Sequence, residues 1–405
     1  MPVKFFTSKS GPFSYDWLPR RPFWQTFGKP GRDEYIAARK LFKKQRYEAS
    51  AQRHQAAQAR FPNNPHIALQ AAVYARFGLI GYEDTLQYLS RFVSQHENDY
   101  ERFRIMCALA ELIWERRGPT DFACNLAKEI ADSPFAGARR MLRFAAALEQ
   151  AGLCDEAVSI ADRAYSLDSY TAKQTGHLRL LLALRKNGRH WPVHSDSAAR
   201  IGCHLDASAE AFQQIVSASS GDFALVANGP SLVGTGKGAE IDTHEVVVRY
   251  NNFLFGESSF QDRGKKTDVW FRHHTAKYVP ISPLPGLRLV VVLGHGVDTR
   301  FSDGVQCLEN LFLLGVPIQT IPSEVYVNLF TQLDAAPSAG LIAAAWASEN
   351  TLHAIQTSQL YGYDLSINTR LKSHYYYETS ELSQLPSRHN WSKENALLKE
   401  ICERL

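Results

Sequence analysis

At 405 residues the chain exceeds one ordinary core, and two domains are expected. Hydrophobic residues at 45% and charged residues at 21% exclude a disordered polymer, and a net charge of +4 is too small to mark a nucleic-acid binder. The six cysteines, Cys107, Cys124, Cys154, Cys203, Cys307 and Cys402, contain no CxxC pair and no metal-ligand spacing, so reduced thiols and a cytoplasmic location are expected.

The first thirty residues read as an N-terminal arm without a signal peptide or membrane span. Its Phe5, Phe6, Trp17, Arg20, Arg21, Phe23 and Trp24 suit either peripheral contact with a membrane surface or packing across its own domain. From Asp33 to Lys186 helix follows helix, rich in Ala, Leu, Arg and Glu, with breaks at Pro62 to Pro65, at Gly118-Pro119 and at Gly152. The clearest unit runs from Leu142 to Asp168. There Leu142, Ala146, Leu148 and Ala151 precede Gly152, and Ala157, Ile160, Ala161, Ala164 and Leu167 follow it. Small residues at these intervals let paired helices approach closely, and Tyr47 to Pro65 looks like another copy. The region 31–200 therefore resembles tetratricopeptide repeats. It suits either a protein partner or a spacer role for the rest of the chain.

The stretch His190 to Ser197 reads as a linker, with a second domain over 205–405. Apolar runs at Phe223 to Ala227, Val246 to Tyr250, Val269 to Arg272, Leu287 to Leu293 and Gln359 to Tyr363 alternate with helical segments. That rhythm predicts an α/β domain with a Rossmann-like, mostly parallel sheet flanked by helices. Ligands of such sheets sit beyond the carboxyl ends of the strands, so the residues just after each run are the candidates.

Three such places carry chemistry. The turn Asn228-Gly229-Pro230-Ser231 exposes backbone N–H groups and an amide to a phosphate. Asn251, after Arg249-Tyr250, offers both amide groups to a nucleotide sugar. Pro337-Ser338-Ala339-Gly340 opens an apolar helix, with Ser338 placed as an N-cap and Gly340 permitting close approach of a ligand. The run Gly234 to Gly238 lacks the spacing of a P-loop, and its GxGxG pattern lacks the dinucleotide fingerprint, so a nicotinamide-dependent reductase is disfavoured.

In order and spacing these pieces resemble the sialyltransferases of the animal Golgi type, whose members share motifs called L, S, III and VS. The long motif matches Ala224 to Asp268, the short motif Pro337 to Tyr363, motif III His374-Tyr375-Tyr376-Tyr377, and the last motif His389 to Glu394. The resemblance covers the C-terminal half. It implies a glycosyltransferase of GT-A-variant fold that moves a sugar from a CMP-activated donor with inversion and without a metal or other cofactor. It assigns His389 as general base, Glu394 as its orienting carboxylate, and Tyr375 and His374 as contacts to the departing phosphate. Asn228, Gly229, Asn251, Ser338, Ala339, Gly340 and Gly362 become donor-contacting positions. Ala339 stands where the family carries Ser or Thr, and the family's disulfide between the long and short motifs has no cysteines here, which suggests a bacterial relative in a reducing compartment.

The expectation is transfer of sialic acid or Kdo from CMP to a hydroxyl of a glycan or glycolipid acceptor. The setting would be surface polysaccharide or lipooligosaccharide synthesis at the inner face of a bacterial membrane. The alternative is an inactive relative acting as a scaffold, its helical repeats holding protein partners.

Overall fold

The structure is a computed structural model that describes residues 31–403 apart from 45, 77, 98, 252, 254–258, 274–283, 294–295, 297, 313, 352–354 and 364–388. The N-terminal arm, His374 and Tyr375 therefore lie outside the described residues.

The N-terminal half is built from helices: α1 Arg32–Lys43, α2 Tyr47–Arg60, α3 Pro65–Arg76, α4 Tyr82–Gln95, α5 Tyr100–Arg117, α6 Asp121–Asp132, α7 Ala138–Gln150, α8 Cys154–Leu167, α9 Ser169–Lys173, α10 Leu178–Lys186 and α11 Ser195–Ala207. Their ends follow local chemistry. Asp99 caps α5 by accepting the Arg102 N–H, Thr120 caps α6 through Ala123 N–H, and Asn64 accepts from His66 and Ile67 to open α3. Gly118 and Gly152 take positive φ at the ends of α5 and α7, where other side chains would be strained. The α7/α8 pair forms the expected close hairpin, with Ala145, Ala146, Ala157, Ala161 and Ala164 buried between helices. Helix α11 begins inside the expected linker and runs past Arg200 and Leu205, because its buried Ala198, Ile201 and Leu205 join the same core as α10.

The C-terminal half contains α12 Ala211–Ala218, β1 Phe223–Val226, α13 Gly238–Thr243, β2 Val246–Tyr250, α14 Phe260–Arg263, β3 Val269–Arg272, β4 Leu289–Val292, α15 Gly304–Phe312, β5 Ile318–Thr320, α16 Ser323–Leu333, α17 Ala339–Asn350, β6 Leu360–Tyr361 and α18 Trp391–Glu403. The sheet is six-stranded and parallel throughout, in the order β5-β4-β3-β2-β1-β6. Five strands stand where the sequence expected them. The sixth, β5, is three residues long between Pro317 and Pro322, too short to show a period.

Both faces of the sheet are covered, which is why its strands read as unbroken apolar runs. Phe223, Leu225, Val248, Val269, Phe271, Leu289 and Val291 face one core with α12, α16, α17 and α18. Helix α17 is apolar around its whole circumference and buried from Gly340 to Ala347. Its Trp346 ring lies 4.6 Å from Phe212, which lies 5.1 Å from Phe271. On the opposite face Trp270, Val290, Val292 and Ile318 belong to one continuous core with the helices of the N-terminal half.

A buried chain of charges adds to this joint. Arg143 meets Glu111 at 2.8 Å, Glu111 meets Arg76 at 3.4 Å, Arg76 meets Glu115 at 2.7 Å, and Glu115 lies 3.9 Å from Arg300 in the loop after β4. The helical array is thus packed into the sheet domain. No helix among the described residues is long and apolar enough to cross a membrane.

Candidate functional site

The chain runs β1 to β5 in one direction across the sheet and then returns to place β6 on the other side of β1. The strand order thus reverses at β1/β6, and parallel sheets generally hold ligands beyond the strand ends beside such a reversal. Asn228, Gly229, Asn251 and Gly362 follow the ends of β1, β2 and β6, and Ser338 to Gly340 begin α17.

Asn228 is buried and its Nδ2 donates to the Tyr250 carbonyl at 3.0 Å, closing the gap between the ends of β1 and β2. Asn251 is held in the left-handed region at φ 48. Its N–H donates to Phe271 O at 2.7 Å, its carbonyl accepts from Trp270 Nε1 at 2.8 Å, and its Oδ1 accepts from His273 N–H at 3.1 Å. These bonds use its N–H, carbonyl and Oδ1 and leave the Nδ2 donors out of them.

Gly362 has φ 70, and a Cβ there would lie 2.6 Å from Ala227 O, so β6 can meet β1 this closely only with glycine. Gly340 has its own reason: a Cβ would lie 2.9 Å from the Tyr363 ring. Tyr363 donates to Gly340 O at 3.1 Å, which makes Tyr250, 2.8 Å away, the donor to Tyr363. Burial pushes both phenols above their ordinary range, so they stay protonated and keep this order of donors. The pair ties the ends of β2 and β6 to the start of α17, a role that sequence reasoning missed because the two tyrosines stand 113 positions apart and meet only in the folded chain.

At the start of α17 the Ser338 Oγ accepts from Leu341 N–H at 3.2 Å, as expected of an N-cap, so its O–H remains a donor. Ala339 is the first helical residue. The backbone N–H of Ser338 donates to Glu394 Oε1 at 3.0 Å. Glu394 comes from the first turn of α18, is 1% exposed, and is pushed up to about 8 by burial. Its Oε2 is buried with no hydrogen-bond partner among the described residues.

His389, two residues before α18, places Nδ1 2.8 Å from Ala336 O and 3.5 Å from Glu394 Oε1. A carbonyl only accepts, so Nδ1 carries a proton. The ring packs at 5.0 Å against Trp391. His389 Nδ1 and Glu394 thus lie within ion-pair distance, and Glu394 is in turn bonded to Ser338 at the start of α17.

Other residues of the long motif serve the scaffold. The Asp262 carboxylate accepts the N–H groups of Gly234 and Gly236 at 2.8 and 2.9 Å, filling with an internal anion the loop that a phosphate would otherwise occupy. The Asp242 carboxylate holds Lys265 and Lys266 N–H, and the buried Arg249 donates to Lys266 O and Arg263 O. Beyond β2, the buried Arg272 ends β3, and burial pulls its guanidinium down to about 10. Among the described residues no group of three or more His, Cys, Asp or Glu is placed to hold a metal.

No family model matches the chain, and no curated protein matches it.

Proposed function

We propose that the chain is an inverting glycosyltransferase that moves sialic acid, Kdo or another ulosonic acid from a CMP-activated donor to a hydroxyl of a glycan or glycolipid. The observation that carries this reading is the His389–Glu394–Ser338 cluster at the start of α17. It supports the reading because a histidine whose Nδ1–H is held by a carbonyl lies beside the strand ends where parallel sheets generally take nucleotides.

In this mechanism the nucleotide sugar lies across the strand ends, with the Asn251 amide, the Ser338 hydroxyl and the turn at Gly229 as its donors. The bond between the anomeric carbon and the phosphate oxygen breaks, and its electron pair leaves with CMP. The acceptor hydroxyl forms the new bond from the opposite face, and its proton passes to His389 Nε2. Ala336 O and Glu394 Oε1 stabilise the Nδ1–H of the resulting imidazolium. Asn228 keeps β1 and β2 at the spacing that the nucleotide needs. His374 and Tyr375, the expected contacts to the departing phosphate, belong to the residues not described.

The test is a calorimetric titration of the full chain with CMP in the absence of metal, beside CDP, UDP and NAD, repeated on Asn228→Ala. Selective CMP binding that Asn228→Ala weakens at least about tenfold supports the reading. A folded protein that ignores CMP overturns it and turns attention to the helical array as a surface for protein partners.

A further inference from the structure

The loop that carries the hydrogen-bond acceptor of His389 is gripped from both halves of the molecule. On one side α18 and the residue before it hold the loop: Asn390 Nδ2 donates to Leu333 O, and Glu394 takes Ser338 N–H. On the other side stands Arg116 of α5, from the helical array. Its Nη1 donates to Asp334 Oδ1 at 2.5 Å and its Nη2 to Asp334 O at 3.2 Å. The guanidinium lies 3.8 Å from the Tyr82 ring centre and 4.5 Å from that of Phe330, and Arg116 is 6% exposed.

Asp334 is a place where such a grip matters. It ends α16 in the left-handed conformation, φ 51 and ψ 31, which a residue with a Cβ adopts at a cost unless its surroundings impose it. Arg116 binds both the side chain and the carbonyl of that residue, and so sets the direction in which the chain leaves α16. Two residues later Ala336 O receives the His389 Nδ1–H.

We infer that Arg116 is a positioning residue for His389, so that the helical array takes part in building the candidate catalytic base. Arg116 does not touch the ring; it acts through Asp334 and the Ala336 carbonyl. A lysine is no substitute, because its single ammonium lacks the planar fork that donates to both Asp334 Oδ1 and Asp334 O. The inference gives the N-terminal half a function that a spacer would not have. It rests on the transferase reading for its consequence in turnover, but not for its consequence at the imidazole.

The experiment uses the full chain labelled with 15N-histidine, with His389→Ala to identify the His389 resonances, and compares Arg116→Met, Arg116→Lys and Asp334→Gly. Asp334→Gly accepts the left-handed conformation freely and removes only the side-chain anchor. The expected result is a His389 ring that is mainly the Nδ1–H form in the parent and a mixture of tautomers in all three variants. Turnover of CMP-sialic acid or CMP-Kdo should fall about tenfold or more while the dissociation constant for CMP stays within about twofold. Unchanged His389 nitrogen shifts and titration in folded Arg116→Met, or in Asp334→Gly should Arg116→Met not fold, overturn the inference. A parent chain that neither binds CMP nor transfers sugar overturns the transferase reading instead, and the nitrogen shifts still decide the role of Arg116.

Discussion

Glu394 Oε1 accepts the backbone N–H of Ser338 at 3.0 Å, so a carboxyl from the last helix satisfies a donor at the start of the central one. The same oxygen lies 3.5 Å from His389 Nδ1. A group raised from 4.5 to about 8 by burial binds its proton more tightly in the folded than in the unfolded chain. Its contribution is therefore favourable below the unfolded value and is lost as pH rises toward the folded one. Relative to Glu394→Gln, the parent should lose about 1.4 kcal/mol of stability per pH unit across much of this window. Urea unfolding of both proteins at pH 5 and pH 8 measures it. A difference that does not change with pH would show that Glu394 is ionised throughout.

Tyr363→Phe removes one hydroxyl and with it two hydrogen bonds, to Gly340 O and from Tyr250. With the Tyr250 hydroxyl buried and no longer paired to it, the expected loss is about 1–3 kcal/mol of stability, together with weaker CMP binding. Denaturant midpoints and calorimetry on the variant check both; loss of stability with CMP affinity intact would confine the pair to the scaffold.

Gly362→Ala should be worse than Gly340→Ala. At position 362 the new methyl meets the Ala227 carbonyl, which belongs to the sheet backbone, and φ 70 is strained as well. At position 340 it meets the Tyr363 ring, a side chain that can yield by tenths of an ångström. The expected costs are more than about 3 kcal/mol for the first and about 1–3 kcal/mol for the second, read from thermal unfolding.

Acid should loosen the helical array. Burial holds His54 down to about 4 and His177 down to about 3, so both rings fold neutral while their unfolded forms titrate near 6.5. Folded values below the unfolded ones mean that stability falls as pH drops below 6.5, by about 1.4 kcal/mol per pH unit for each ring while only the unfolded chain takes up protons. His54→Gln should reduce the slope between pH 6.5 and pH 4.5 by one ring's share. An unaltered slope would show that His54 is charged in the native state.

Glu111→Ala takes one carboxylate out of the buried chain that runs from Arg143 to Arg300, leaving Arg143 and Arg76 without their shared counter-charge. A loss of about 3–5 kcal/mol is expected. Because the same chain reaches the loop after β4, hydrogen exchange should accelerate on both sides of the joint between array and sheet; acceleration confined to α5 and α7 would show that the joint is held by apolar packing alone.

The helical and sheet halves were legible in the residues because each has a local cause. Alanines and leucines at helical intervals need only a neighbouring helix, and strands buried on both faces show as apolar runs whichever strand they pair with. Asn228 and Ser338 stood out because strand ends and helix starts carry recognisable turn and cap chemistry, whereas Gly362, His389 and Glu394 stood out through the resemblance to the sialyltransferase motifs. Sequence order could not reveal that β6 returns to the far side of β1, since strand neighbours are chosen by long-range packing. The same holds for Tyr250 against Tyr363 and for Arg116 against Asp334, separated by 113 and 218 positions. Such partners become neighbours only when the whole chain is folded, and no local pattern in either residue's surroundings encodes the other. Side-chain type and local periodicity thus determined the elements and the chemical candidates, whereas burial and long-range contact decided which candidates meet, which proton His389 keeps and which half of the molecule holds its loop.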